Sequence, residues 1–257
     1  MTPLGQRNPR IHDVRRLLGR RSSRREAGRL VVEGPTLAAE AVAAGWTCVE
    51  QYVPADETHL AVDGAGPVLE VGDGVMEKIS STETPQSPVV VVEIPAAAPA
   101  ERLRSSSLVV VADRLADPGN LGTILRSVEA AGADAVVLTP GSVDPYNPKV
   151  VRASAGALFH VPVIECDVGD VADAGLRLIG STSHDDHVRR PTGYTAADWT
   201  GRVAIVVGNE AAGLPDEWSP AAGPISDWVT IPHRGRSESL NVAMATTLLV
   251  FAAASAS

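Results

Sequence analysis

The chain has 257 residues, of which 44% are hydrophobic, 4% aromatic and 21% charged, and its net charge is −9. This length is sufficient to bury a real core, in one large domain or two small ones. The sequence has no apolar run of 18 residues, and no apolar segment follows its charged start, so we expect neither a membrane protein nor a secreted one. The composition predicts a soluble, cytoplasmic α/β protein.

The first 94 residues alternate between helical and extended patterns, which predicts a small α/β domain. The predicted elements are a helix at 11–19, a strand at 29–34, a helix at 34–44, strands at 47–53 and 67–71, a helical patch at 75–79 and an apolar strand at 88–94.

The start of the chain is strongly basic. Residues 1–29 contain nine arginines and only two acidic residues, a net +7 that leaves −16 for the remainder. Because salt screens charge beyond about 8 to 10 Å, a local basic element can bind phosphate although the whole chain is acidic. A merely solvated first helix is the alternative interpretation.

Residues 95–107 have the Pro, Ala and Ser composition of a linker, so we place a boundary between domains 1–94 and 108–257 there. Beyond it, strands and helices alternate, which predicts a parallel sheet with ligands at the carboxyl ends of its strands. The predicted elements are strands at 108–112, 135–138, 177–180, 203–207 and 227–231, with helices at 120–131, 150–158 and 240–251.

Residues 117–126 lead from a strand end through a Pro-Gly turn into a helix, with Asn120 near its start and Arg126 two turns further on. A glycine-containing loop at a helix N-terminus suits an anion. A dinucleotide site is the alternative, but GNLG is only part of a loop of that kind, and the G-x-G-x-x-G fingerprint is absent.

Two later segments are candidates for ligand contact. The strand at 203–207 stops at Gly208, where small residues allow another group to approach the backbone closely; a strand-to-helix turn with Asn209 or Glu210 as the cap is the alternative. Before the last helix, Ser237 and Ser239 are candidate caps. Residues 240–251 contain only one strongly polar residue, Asn241, and their apolar positions lie all round a helix, which predicts burial on most sides.

Other chemistries have less support. His184 and His187 are spaced like metal ligands, but no third ligand cluster accompanies them, so we expect no metal site. Cys48 and Cys166 are far apart, which predicts buried free thiols. A Ser-His-Asp hydrolase is not supported, because no G-x-S-x-G elbow is present.

Segments 117–138, 203–215 and 231–251 together resemble the three motifs of the SpoU (TrmH-like) branch of the SPOUT RNA 2'-O-ribose methyltransferases. The residues that match are Asn120 and Arg126 in the first motif, Gly208, Glu210 and Gly213 in the second, and Ser239, Leu240, Asn241 and Val242 in the third. The run GRLVVEGPTLAAEAVAAG, at 28–45, resembles the start of the L30e-like RNA substrate-binding domain found in many of these enzymes.

The resemblance implies a trefoil-knotted catalytic domain with a parallel sheet, S-adenosylmethionine as cofactor and a homodimer. It also implies methyl transfer to a ribose 2'-hydroxyl, with rRNA as the expected substrate and tRNA as the alternative. The family's arginine at the position of Arg126 either binds the substrate phosphate or removes the hydroxyl proton. A neutral guanidinium at pH 7 would cost roughly 8 kcal/mol, so we expect Arg126 to orient the ribose, with any base role requiring a neighbour such as Glu210.

The resemblance assigns roles to two sets of residues. The implied catalytic residues are Asn120, Arg126, Glu210, Ser239 and Asn241, and the implied cofactor contacts are Val207, Gly208, Asn209, Ile231, Ser239 and Leu240. No metal is needed, because the sulfonium already activates the methyl group. A non-catalytic RNA-binding protein that has kept the fold is the alternative from another class, although binding alone would not need all five polar residues.

Overall fold

The computed structural model describes residues 2–96, 99–183, 189–220, 223–236 and 238–256. The chain divides into two compact units. The first contains Met1–Ala96 and Asp144–His160, and the second contains Ala97–Val143 and Val161–Ser257. The chain therefore leaves the second unit at residue 144 and returns to it at residue 161.

The secondary structure alternates between helices and strands throughout. The elements up to residue 96 are α1 (Pro9–Gly19), α2 (Arg21–Ala27), β1 (Arg29–Glu33), α3 (Pro35–Ala43), β2 (Cys48–Pro54), a short 3-10 helix (Thr58–Leu60), β3 (Val68–Val71), α4 (Met76–Ile79) and β4 (Val89–Glu93). Those that follow are α5 (Pro99–Ser105), β5 (Leu108–Ala112), α6 (Pro118–Ala131), β6 (Ala135–Leu138), α7 (Pro148–Ala153), α8 (Ala157–His160), β7 (Val163–Glu165), α9 (Val168–Asp173), β8 (Arg177–Ser181), β9 (Thr192–Gly193), β10 (Val203–Val207), β11 (Ile225–Thr230) and α10 (Val242–Ala254).

The first unit is built on a four-stranded sheet of described residues in the order β1-β4-β2-β3. β4 is antiparallel to both of its neighbours, whereas β2 and β3 are parallel. In α1, Ile11, Val14 and Leu17 are buried because the helical period places them on one face. The elements predicted for the first 94 residues are confirmed within two residues at each end; α2 and the 3-10 helix were not predicted.

The segment 144–160 contains two short helices where one helix, at 150–158, was predicted. That prediction was wrong because the backbone turns to positive φ at Ala155 (49°) and Gly156 (98°), a left-handed conformation that cannot continue a right-handed helix. A Cβ at Gly156 would lie only 2.7 Å from Cγ of Glu40. Glycine therefore permits both the backbone conformation and the packing at this break.

The second unit contains a parallel sheet whose described strands have the order β7-β6-β5-β10-β8-β11-β9. Every residue of the two central strands β5 and β10 is buried, as expected when helices cover both faces of a parallel sheet. The predicted α/β fold with a parallel sheet is confirmed, and so are the predicted positions of β5, β6 and β10.

The predicted linker at 95–107 is partly helical. Its helix α5 buries Leu103, which is 1% exposed, and Arg202 donates hydrogen bonds to the carbonyls of Leu103 and Ser106 at 2.7 and 2.9 Å. Composition alone did not indicate these contacts, because one buried leucine among Ala, Pro and Ser leaves little periodic pattern. β7, α9 and β9 were not predicted because, with three, six and two residues, they are too short to show a periodic pattern.

α10 packs against α6, and the hydroxyl oxygens of Ser127 and Thr247 lie 2.7 Å apart between them. As predicted, α10 is buried or half-buried on most sides, but one face is exposed, since Met244, Leu248 and Phe251 are 65%, 40% and 44% exposed. These three side chains form an apolar stripe along one face of the helix. In the described part of the chain, no helix is long and apolar enough to cross a bilayer.

Candidate active site

The three motif segments meet at one edge of the parallel sheet. β5 and β10 are neighbours that pair in register, so that their last residues, Ala112 and Val207, lie side by side. α6 begins shortly after β5, and Gly208 directly follows β10. The carboxyl ends of parallel strands share one edge, which is where the sequence predicted ligand contacts.

Both helices at this edge begin with a side-chain cap. Asp117 accepts a hydrogen bond from the amide of Asn120 at 2.8 Å at the start of α6. At the start of α10, Asn241 accepts hydrogen bonds from the amides of Ala243 and Met244 at 2.9 and 3.3 Å. The capping role predicted for Ser239 was wrong, because that residue lies two positions before the cap and is exposed; Ser237 lies outside the described residues.

One side chain joins the three motif segments. The side-chain nitrogen of Asn120 donates to Oε1 of Glu210 at 3.0 Å, and its oxygen accepts from the side-chain nitrogen of Asn241 at 3.0 Å. Glu210 also accepts long hydrogen bonds, at 3.4 Å, from the amides of Ala116 and Asp117. Three of the predicted catalytic residues therefore form one hydrogen-bonded chain.

The electrostatics of Glu210 follow from these bonds. Partial burial raises its pKa, but the hydrogen bonds from Asn120 and from the amides of Glu210, Asp117 and Ala116 outweigh this effect and leave the pKa below its ordinary value. The side chain is therefore a carboxylate at neutral pH. A lowered pKa makes it a weak base, so Glu210 is better suited to orienting Asn120 than to removing a proton.

The loop after β10 is folded tightly on itself. A Cβ at Gly208 would lie 2.4 Å from the carbonyl carbon of Gly213, so the close approach predicted for Gly208 is made by the loop's own backbone. Asn209 accepts hydrogen bonds from the amides of Ala211 and Ala212, both at 3.0 Å, and donates to the carbonyl of Arg114 at 2.9 Å. Asn209 thus stabilises a turn and connects this loop to the segment after β5, but the described residues between β10 and β11 contain no helix, so the predicted alternative of a strand-to-helix turn was wrong.

A cavity of about 610 Å³ opens beside this loop, which is within the range of roughly 300 to 1,000 Å³ that is typical of ligand pockets. Its wall combines apolar side chains with hydroxyl, amide and carboxylate groups, so it suits a ligand with both apolar and polar surfaces. The predicted site residues on its wall are Val207, Gly208, Asn209, Glu210, Ile231, Ser239, Leu240 and Asn241.

Arg126 is a predicted catalytic residue that lies outside the hydrogen-bonded chain of Asn120, Glu210 and Asn241. It lies on α6, is exposed and is absent from the cavity wall. Its guanidinium makes no hydrogen bond or ion pair with any residue that the structure describes. Glu210, suggested as its neighbour for a base role, bonds to Asn120 instead. The guanidinium is therefore available to an external anion.

Arg189 was missed by sequence reasoning. It is 9% exposed, lines the cavity, donates from Nη2 to the carbonyl of Leu214 at 3.0 Å and pairs with Asp216. Its guanidinium carbon lies 5.3 Å from the ring centre of Trp228 on β11. It thereby ties the loop after β10 to β11. No local signal distinguishes it from the exposed Arg190 beside it.

Among the described residues, no group of His, Cys, Asp and Glu side chains is placed to hold a metal ion. The alternative metal ligands, His184 and His187, lie outside those residues, so the structure does not test them. Both cysteines are free, as predicted, but they are half-buried rather than buried. Burial raises the pKa of Cys166 to about 11, so its thiol is unreactive at neutral pH.

Comparison with known proteins identifies two matching family models. Residues 107–251 match the SpoU rRNA Methylase family, and residues 8–89 match the MRM3-like substrate binding domain. The first match contains all of the predicted site residues and covers more than half of the chain.

Individual proteins are similar along nearly the whole chain. The 23S rRNA (guanosine(2553)-2'-O)-methyltransferase RlmP of Bacillus subtilis is 31% identical, over 95% of this chain and 96% of that enzyme. The 23S rRNA (uridine(2479)-2'-O)-methyltransferase of Streptomyces viridochromogenes is 32% identical, over 96% of this chain and 90% of that enzyme. The crystal structure of an AdoMet-bound rRNA methyltransferase from Sinorhizobium meliloti has a TM-score of 0.81 and 31% identity, and covers 96% of this chain and 94% of that one. The chain therefore belongs to the SpoU rRNA methylase family.

Proposed function

We propose that this chain transfers a methyl group from S-adenosylmethionine to a ribose 2'-hydroxyl of 23S rRNA. The observation that carries this proposal is the hydrogen-bonded chain of Glu210, Asn120 and Asn241, which joins three family motifs beside a cavity of ligand size. The similar enzymes of B. subtilis and S. viridochromogenes both act on 23S rRNA, at different nucleotides. The two names support 23S rRNA as the substrate. Because they give different nucleotides, the nucleotide that this chain would modify has to be mapped by experiment.

The cavity residues fit S-adenosylmethionine, whose sulfonium supplies an activated methyl group when it is bound. Apolar side chains of Val207, Ile231 and Leu240 face the same cavity as the backbone of Gly208 and Asn209. Apolar walls would hold the two faces of an adenine ring, and backbone groups would read its polar edge. Ser239, on the same wall, would supply a hydroxyl to the polar part of the ligand.

The catalytic roles follow from charge and position. Glu210 and Asn241 hold the amide of Asn120 in a single orientation, so that the site is arranged before the ribose arrives. Arg126 would bind the phosphate next to the target ribose, because its guanidinium has no anionic partner among the described residues.

We also propose a homodimer. The apolar stripe of Met244, Leu248 and Phe251 is the kind of exposed face that a second copy of the chain would cover. Arg126 lies on α6, the helix that packs against α10, so a partner at this face could complete the site around its guanidinium.

We propose that residues 1–94 form an L30e-like domain that recruits RNA, since 8–89 match a substrate-binding domain model. Residues 95–107 would connect it to a catalytic domain at 108–257, which would contain a trefoil knot. An rRNA substrate and the two free cysteines support a cytoplasmic location.

Calorimetric titration with S-adenosylmethionine, and in parallel with NAD, is the first test. We expect micromolar binding of S-adenosylmethionine alone, followed by one new 2'-O-methyl group in 23S rRNA incubated with the chain. Asn120→Ala should abolish most methylation while Thr123→Ala, on the same helix, should not. Binding of S-adenosylmethionine with methylation of tRNA and not of rRNA would favour the tRNA alternative, and binding with methylation of neither would favour a non-catalytic RNA-binding protein. Binding of NAD would refute the proposal.

A further inference from the structure

The end of α1 and the residue between α1 and α2 carry exposed arginines that the catalytic site does not use. Arg15, Arg16 and Arg20 are all exposed within six residues, and we refer to them as the arginine face. This face lies in the segment that holds a net +7, whereas the remainder of the chain carries −16. A polyanion that approaches this acidic protein would be attracted to this segment.

The charges of the arginine face are poorly neutralised within the chain. The guanidinium groups of Arg15 and Arg20 form no hydrogen bond or ion pair with described residues. Arg16 reaches Asp13 and Glu26 only at 3.9 and 4.0 Å, with its side chain 58% exposed. Other arginines of the first unit are used in folding, and these pairs are Arg10 with Glu50, Arg24 with Asp144 and Arg29 with Glu93.

The buried side chain of Arg24 fixes the backbone segment that carries the arginine face. It is 3% exposed, and its Nε and Nη2 donate to one carboxylate oxygen of Asp144 at 2.8 and 2.5 Å. Its Nη1 donates to the carbonyl oxygens of Leu17 and Leu18, near the end of α1. One buried guanidinium thus fixes α1, α2 and residue 144 together, so a ligand of the exposed arginines would meet a preorganised surface.

We propose that the arginine face binds the phosphate backbone of the RNA substrate. This inference rests on the proposed function, and it adds the surface by which the first unit would hold RNA. Guanidinium groups form planar, bidentate contacts with phosphate oxygens, and such contacts position RNA without reading its sequence. The arginine face would therefore supply affinity, whereas selection of the nucleotide would depend on other contacts.

The salt dependence of RNA binding tests this proposal. We would compare the wild type, Arg15→Gln/Arg20→Gln and a matched control, Arg102→Gln/Arg104→Gln, which removes the same charge from exposed positions of α5. The probe is the shortest 23S rRNA transcript that the wild type methylates. Each lost phosphate contact lowers the slope of log K against log salt by about 0.7 to 0.9. Between about 50 and 200 mM salt, the wild type should therefore lose about tenfold more affinity than the arginine-face variant.

The control should keep the wild-type slope, and all three proteins should bind S-adenosylmethionine equally and unfold at the same temperature. Equal slopes for the wild type and the arginine-face variant, or an equal reduction in both variants, would refute the assignment of this surface while leaving the methyltransferase activity intact. Failure of the wild type to bind or methylate any 23S rRNA transcript would instead refute the proposed function itself.

Discussion

At the scale of single residues, Asn120 determines the arrangement of the site. Its side chain contacts Glu210 through its nitrogen and Asn241 through its oxygen, both at 3.0 Å. An amide can serve both partners because it carries a donor and an acceptor, whereas an aspartate at this position would place a second carboxylate against Glu210. The need for both functions explains why an asparagine suits this position.

Arg126→Lys tests the role of the arginine that lies outside this network. We expect turnover to fall at least about tenfold, because a lysine cannot reproduce a bidentate contact with phosphate. The dissociation constant for S-adenosylmethionine should not change, since Arg126 does not line the cavity. Single-turnover methylation and calorimetry measure the two quantities, with Glu129→Gln on the same helix as the control. Near-normal turnover of the Lys variant would contradict the phosphate role.

At the scale of secondary-structure elements, α10 has two different faces. Thr246 and Leu249 are fully buried, whereas Met244 and Leu248 are exposed.

If a second copy of the chain covers the apolar stripe, Met244→Glu/Leu248→Glu should give a monomer with little methyltransferase activity, because charges would have to be buried in the interface. Analytical ultracentrifugation measures the mass. Leu60→Glu, at an exposed apolar position of the first unit, should leave the dimer intact; a dimeric α10 variant would show that the stripe is not the interface.

The segment 80–86 of the first unit depends on one buried carboxylate. Glu33 is 8% exposed and accepts hydrogen bonds from the hydroxyls of Ser80 and Thr82 at 2.6 and 2.7 Å. Burial raises its pKa, but these bonds and those from Ser81 and Gln86 outweigh burial, so the pKa lies below its ordinary value of 4.5. A group whose pKa is lowered on folding stabilises the folded state above its unfolded pKa and loses that contribution as the pH falls through the folded pKa.

Glu33→Gln should therefore lower the free energy of unfolding at pH 7 by about 2 kcal/mol, because the bonds to the carboxylate are charge-assisted. The difference from the wild type should shrink as the pH falls below 4.5, the ordinary pKa of this group. Urea unfolding at neutral and acidic pH measures both values. Glu93→Gln, at a site where the carboxylate is 47% exposed, should have little effect at either pH. A constant difference across this range would contradict the assignment to Glu33.

At the scale of the whole molecule, the chain passes between its two compact units at more places than the one predicted linker. One linker at 95–107 was predicted, but the segment 144–160 also passes into the first unit. Arg24 and Asp144, 120 residues apart, form a buried pair within that unit. Nothing in the local composition near 144 indicates this crossing, because a buried ion pair depends on two distant positions that separately have the composition of surface residues.

The sequence by itself determined the alternation of strands and helices and the parallel sheet, because periodicity and turn residues are local properties. Its resemblance to the SpoU family placed Asn120, Gly208, Glu210 and Asn241 in three motifs. Only the tertiary structure decided that Asn120 bonds to both Glu210 and Asn241, that Arg189 supports the cavity wall and that one face of α10 is exposed. An apolar pattern reports a tendency to be buried, but not the surface that covers it, and a polar side chain does not reveal its partner until the chain has folded.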